Sequence, residues 1–180
     1  MDALYAATTA DRNVGESITS IDCKDDNCDR HTATDNNYAV VITGNILITT
    51  PGNYNFAIDS DDASDFTMGA GVAYDTTTHA LTIPTVLDPV SGTSIPDPAV
   101  LTVGWYGGHG FGNNQTHSGS KYLAAGSYPF VYRMEENSGG DGYRLYYQEA
   151  AAASTMADKI VRVEVCNSTV GLEANCRPYG

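Results

Sequence analysis

From about residue 37 to residue 149 apolar side chains recur at every second position, in short runs broken by Gly, Pro, Asn and Asp. Tyr54, Phe56 and Ile58 alternate with Asn55, Ala57 and Asp59 after a Pro51-Gly52 turn. Tyr128, Phe130, Tyr132 and Met134 share one face of "GSYPFVYRM", and Tyr143, Leu145 and Tyr147 share one face of "GYRLYYQ". Successive side chains of a strand point to opposite faces, so this period of two predicts strands with one buried side. "YAVVITGNILIT" reads as a long strand or a strand pair bent at Gly44-Asn45, and "FTMGAGVAYD" and "HALTIPTVL" as shorter strands. "AVLTVGWYG" reads as a strand running into a glycine-rich loop, "GGHGFGNNQTHSGS". With no convincing amphipathic helix among them, these segments predict an all-β protein, an antiparallel β-sandwich.

The flanks differ from this centre. Residues 1–36 are polar and irregular and carry the acidic stretch "DCKDDNCDRHTATDNN". From residue 150 to 180 the chain reads as a linker or short helix, then a strand, "IVRVEVC", with Val161, Val163 and Val165 on one face. Met1-Asp2-Ala3 reads as the start of a mature or engineered fragment and the end as a cut from a longer protein, with no signal peptide between. The four cysteines form two close pairs, Cys23 with Cys28 and Cys166 with Cys176, at spacings that fit neither a zinc ribbon nor a finger. Two local disulfides and an extracellular location are expected.

Charge narrows the partners. Lys plus Arg number 9 against 22 Asp plus Glu, a formal net charge of −13, which repels a phosphate backbone and excludes nucleic acid as a partner. No apolar run reaches the roughly 18 residues of a membrane span. An acidic surface suits cations, and calcium takes oxygen from carboxylates and carbonyls. No nucleophile elbow, phosphate loop or His-Glu-x-x-His motif is present, so an enzyme is not expected.

The acids are concentrated where the strand at Tyr54 ends: Asp59, Asp61, Asp62 and Asp65 fall within "IDSDDASD". In a regular strand Asp61 and Asp62 face opposite ways. They converge on one ion only where the backbone breaks, as at a cis peptide, at a cost of roughly 3–4 kcal/mol that a bound cation would offset. The bland alternative is a solvated acidic turn. Trp105, Tyr106, His109, Phe111 and His117 lie in or beside the glycine-rich segment. Trp105 and Tyr106 are candidates for stacking on a sugar, against the alternative of a core Trp105 and a mobile loop. A zinc site from His109 and His117 lacks a third ligand. Asn114 and Asn167 head triplets that fit glycosylation acceptors.

"PGNYNFAIDSDDASDFTMG" resembles the signature of the lectin-like β-sandwich first described in anthrax protective antigen and shared with yeast flocculins and adhesins. Gly52, Tyr54, Phe56, Ser60, Asp61, Asp62 and Gly69 carry the resemblance, and "KYLAAGSYPFVYRMEENSGGDGYRLYYQ" resembles the second signature, in the right order. In sugar-binding members two adjacent aspartates joined by a cis peptide hold calcium, an Asn-containing loop completes the site, and the ion takes vicinal sugar hydroxyls. The resemblance thus implies Asp61, Asp62 and the Asn137 side chain as calcium ligands, with carbonyls from Gly139 or Asp141, and Asn137 also at the sugar.

The tail "VRVEVCNSTVGLEANC" is similar to a segment of type IV pilus tip adhesins, which implies a pilus setting. Together these readings lead to a calcium-dependent glycan-binding module of an extracellular adhesin, with other pilus subunits as further partners. The competing expectation is a structural or protein-interaction sandwich that binds no sugar.

Overall fold

The structure, a computed structural model, describes residues 21–24, 28, 36–112 and 115–149. Among the described residues twelve strands form: β1 Asp22–Lys24, β2 Tyr38–Ile48, β3 Gly52–Asp61, β4 Ala63–Met68, β5 Ala73–Asp75, β6 Ala80–Thr82, β7 Thr85–Leu87, β8 Ser94–Pro96, β9 Leu101–Trp105, β10 His117–Leu123, β11 Gly126–Glu136 and β12 Gly142–Glu149. Two four-stranded antiparallel sheets, ordered β1-β12-β3-β10 and β2-β11-β4-β9, make the expected sandwich. Two small hairpins, β5-β6 and β7-β8, lie between β4 and β9 in the chain.

Alternation supplies the core. Tyr54, Phe56 and Ile58 of β3 meet Phe66 and Met68 of β4, Phe130, Tyr132 and Met134 of β11, and Tyr143, Leu145 and Tyr147 of β12 in one buried cluster. Phe56 and Phe66 lie 5.3 Å apart and Phe66 and Phe130 6.0 Å, tilted in the manner aromatic pairs prefer. Arg133 and Asp65 are directly opposed in the β11–β4 ladder, and their buried side chains pair at 2.6 and 2.9 Å.

The structure revises several segments. "YAVVITGNILIT" is one strand, with Gly44 in register opposite Phe130. "HALTIPTVL" divides into β6 and β7, which belong to different hairpins. β10 begins within the last four residues of what reads as a glycine-rich loop. Its inner face carries Gly119, where a Cβ would stand 2.9 Å from Leu101 Cδ1 and 3.1 Å from Val103 Cγ2, so the apolar signal is missing where the packing is tightest. β1 rises from the region read as irregular and pairs Cys23 with Tyr143, so the sandwich starts before residue 37. Three residues are too few to show a period. Cys23 and Cys28 are disulfide-bonded; Cys166, Cys176, Asn114, Asn167 and the whole of 150–180 lie outside the described residues.

Candidate metal centre

The chain passes between the two sheets three times at one pole. Asp62 alone separates β3 from β4, residues 137–141 join β11 to β12, and residues 106–116 join β9 to β10. In each case the last residues of one strand and the first of the next belong to opposite sheets. The antiparallel register therefore sets the Asp61–Asp62 crossover beside the end of β11: Gly142 is opposite Asp61 and Glu135 is opposite Ala63.

The Asp61–Asp62 peptide is cis. Ser60, just before it, donates its hydroxyl to the Asp62 carbonyl at 2.6 Å, and Ser64 Oγ lies 2.7 Å from Ser60 Oγ. One carboxylate oxygen from each of Asp61, Asp62 and Glu136 lies within 4.8 Å of the others. Oxygens that share a calcium ion at 2.3–2.6 Å are separated by up to about 5 Å, so the three fit around one ion. An all-oxygen donor set matches a hard cation such as calcium rather than zinc.

Glu136 is the residue that sequence reading missed. It is 0% exposed, and neither carboxylate oxygen has a hydrogen-bond partner among the described residues. Burial raises its pKa to about 7, helped by the charges of Asp62, Asp61 and Asp141 and only partly offset by the Asp62 main-chain N–H, which lies near without closing a hydrogen bond. The same causes push Asp61 up: burial first, then the Asp62 charge, with the Phe111 N–H and His109 acting the other way. An unpaired buried carboxylate is costly, and Glu136 faces two more.

Main-chain N–H groups of the 106–116 connection hold these acids in place. The His109 N–H donates to Asp62 Oδ1 at 2.9 Å, the Phe111 N–H to Asp61, and the Gly112 N–H to Asp59 Oδ1 at 2.8 Å. The segment read as a mobile loop is thus docked on the carboxylates through residue 112. Asp65 stands apart from the cluster: Arg133 takes both its oxygens.

The residues implied by the family resemblance are placed as follows. Asn137 is exposed; its N–H donates to Asp62 Oδ2 at 3.0 Å and its carbonyl accepts from Asn37. Gly139, at φ 115°, donates its N–H to Asn36 Oδ1. Asp141 is buried and accepts the Tyr38 hydroxyl at 2.6 Å. The 137–141 connection is therefore strapped to residues 36–38, and the side chain that enters the acid cluster just before it is Glu136, the last residue of β11.

The aromatic candidates are placed as follows. His109 stacks on Trp105 at 3.4 Å and His117 at 4.3 Å, both within 10° of parallel. Both imidazoles thus take up indole surface of Trp105. Tyr106 is 60% exposed, with its hydroxyl on Asp65 Oδ2.

No protein-family profile matches the chain, and no curated protein matches it. Solved structures similar to it include the following two. The PA14 domain of the MpAFP antifreeze protein shares 14% identity at a TM-score of 0.37, over 77% of this chain and 65% of that one. The Epithelial Adhesin 6 A domain from Candida glabrata, solved in complex with Galb1-3GlcNAc, shares 14% at a TM-score of 0.43, over 84% of this chain and 69% of that one. This chain thus spans just under two thirds of the antifreeze domain's length, and its own sandwich rests on the strand pairing given above.

Proposed function

We propose that this chain is a calcium-dependent carbohydrate-binding module of an extracellular adhesin. The observation that carries the reading is the buried, unpartnered Glu136 carboxylate facing Asp61 and Asp62. A divalent cation there would neutralise three acids that otherwise repel, and calcium's 6–8 oxygen positions leave room for a sugar diol beside protein ligands. Asp61 and Asp62 are half-buried, so the ion would be reachable from solvent. The Cys23–Cys28 disulfide and the strongly acidic surface fit an oxidising, extracellular setting. A place on a type IV pilus is supported by the tail sequence alone. Weak single-site binding would gain avidity from many copies on a surface.

A second reading, a protein-interaction module, has its own observation. The β7-β8 hairpin is exposed on both faces yet carries Leu87 at 73% and Val90 at 93% exposure.

The test is calorimetric titration of calcium into chelator-treated protein, followed by a glycan array with calcium and with chelator. Calcium binding together with calcium-dependent glycan binding is the expected result. Glycan binding that survives chelator overturns the calcium dependence, and calcium binding with an empty array favours the second reading.

A further inference from the structure

We infer that Glu136 is a direct ligand of the cation and that the resulting surplus of negative charge makes the site select neutral over acidic saccharides. This rests on the calcium-lectin reading above. Glu136 continues the inward alternation of Phe130, Tyr132 and Met134, so the strand itself drives the carboxylate into the sandwich interior instead of releasing it to water. It arrives there with both oxygens unpartnered and within 4.8 Å of Asp61 and Asp62. No lysine, arginine or hydroxyl among the described residues bonds it. A hard cation is the partner such a group lacks.

Charge then decides what the ion can hold. Two positive charges on calcium against the three carboxylates leave one negative charge at the centre. Asp141, whose charge acts on both Asp61 and Glu136, adds to it. His109 acts on Asp61 in the opposite sense, and none of the described lysines or arginines is paired with the three acids. Arg133 pairs with Asp65, Arg144 with Asp22, Lys121 donates to the Pro98 carbonyl, and Lys24 sits 5.8 Å over the Phe111 ring. A hydroxyl pair brings no charge to this centre. A uronate or sialate carboxylate a few ångström from the ion meets net repulsion, in a partly buried place where screening is weak, and an about tenfold loss of affinity follows.

The test uses the calcium-loaded chain and its Glu136→Gln variant. Calcium affinity is measured by calorimetry, and sugar binding is compared across matched pairs that differ by one carboxylate: glucose with glucuronate, galactose with galacturonate. Glu136→Gln keeps the shape and removes the charge. Metal-free Glu136→Gln should unfold no more readily than the wild type, which shows that the variant folds. Its calcium affinity should fall at least about tenfold, as ligand charge sets affinity in such sites. The wild type should prefer the neutral member of each pair, and the variant, at saturating calcium, should narrow that preference. Unchanged calcium affinity in Glu136→Gln, or uronates bound as well as neutral sugars by the wild type, overturns the inference while leaving the lectin reading intact. A wild type that takes no calcium sinks the lectin reading itself.

Discussion

The imidazole of His109 lies flat on the indole of Trp105, with ring centroids 3.4 Å apart and planes 6° from parallel. The main-chain N–H of the same His109 donates to Asp62 Oδ1. One residue thus joins the acid cluster to an aromatic stack, and Trp105 is the single tryptophan of the chain. Its fluorescence should therefore respond to changes at the acid cluster. Calcium should change the emission on the same titration curve that calorimetry gives. His109→Ala should remove most of this response while calcium affinity stays within about threefold, because alanine keeps the N–H that Asp62 uses. Emission that stays constant through a calorimetrically verified titration would show that the stack does not sense the ion.

Asp62 does two jobs that substitutions can separate. Its oxygens are candidate ligands, and they also accept the N–H groups of His109 and Asn137, which tie two connections together. Asp62→Asn and Asp62→Ala should both abolish calcium binding. In chelator, Asp62→Ala should lose about 1–3 kcal/mol as two N–H groups lose their acceptor. Asp62→Asn keeps one acceptor oxygen and relieves repulsion, so it should lose less than Asp62→Ala. Denaturant unfolding in chelator checks the pair; equal stability of both variants contradicts the tethering role.

Asp65 belongs to the same run of acids but has a structural partner. Its pair with Arg133 is buried on both sides. Removing one partner of such a pair leaves an uncompensated charge and costs about 3–5 kcal/mol. Asp65→Ala should therefore unfold at markedly lower denaturant, while the folded fraction binds calcium like the wild type. A loss of calcium affinity in protein shown by circular dichroism to be folded would place Asp65 in the site after all.

The pH response of the metal-free protein follows from Glu136. Its pKa is about 7 in the folded chain against the ordinary 4.5, so between these values the folded state binds more protons than the unfolded one. Stability must then fall as pH rises from about 4.5 to about 7. The raised pKa of Asp61 works in the same direction. Saturating calcium should flatten or reverse the trend, since the ion favours the deprotonated acids. Unfolding curves at pH 5 and pH 8, with chelator and with calcium, give the comparison. A metal-free stability that does not fall rules out Glu136 as the buried acid that governs it.

The sheet strands with long alternation were legible in sequence because burial on one face leaves a period of two. β10 was not, since Gly119 stands where a core side chain would reveal the face. β1 was not, because three residues carry no period. At the site, Asp61 and Asp62 were visible as an adjacent pair in a known signature. Glu136 was legible in principle: extending Phe130, Tyr132 and Met134 by two residues lands on it, an acid at an inward position. Asn137, beside it, drew attention through the resemblance instead. Two things needed coordinates. Asp65 is taken by an arginine 68 residues away, and the glycine-rich segment lays its amides on Asp59, Asp61 and Asp62.

Gly142 links that docking to the fold. A Cβ at this position would stand 2.7 Å from Phe111 Cδ2 and 3.2 Å from the Cys23 carbonyl, so β12 packs under the Phe111 ring only without a side chain. The ring is also covered by Arg144, 5.3 Å from its centroid. Gly142→Ala should push Phe111 outward at a cost of about 1–3 kcal/mol. The displaced segment would withdraw the Phe111 N–H from Asp61, and calcium affinity should drop with it. Gly119→Ala is the matched control, an equally tight glycine in β10 that packs on Leu101 and Val103 rather than on the site. It should cost comparable stability and leave calcium affinity unchanged. If both variants weaken calcium binding in proportion to their loss of stability, affinity tracks the fold as a whole and the Phe111 segment has no particular hold on Asp61.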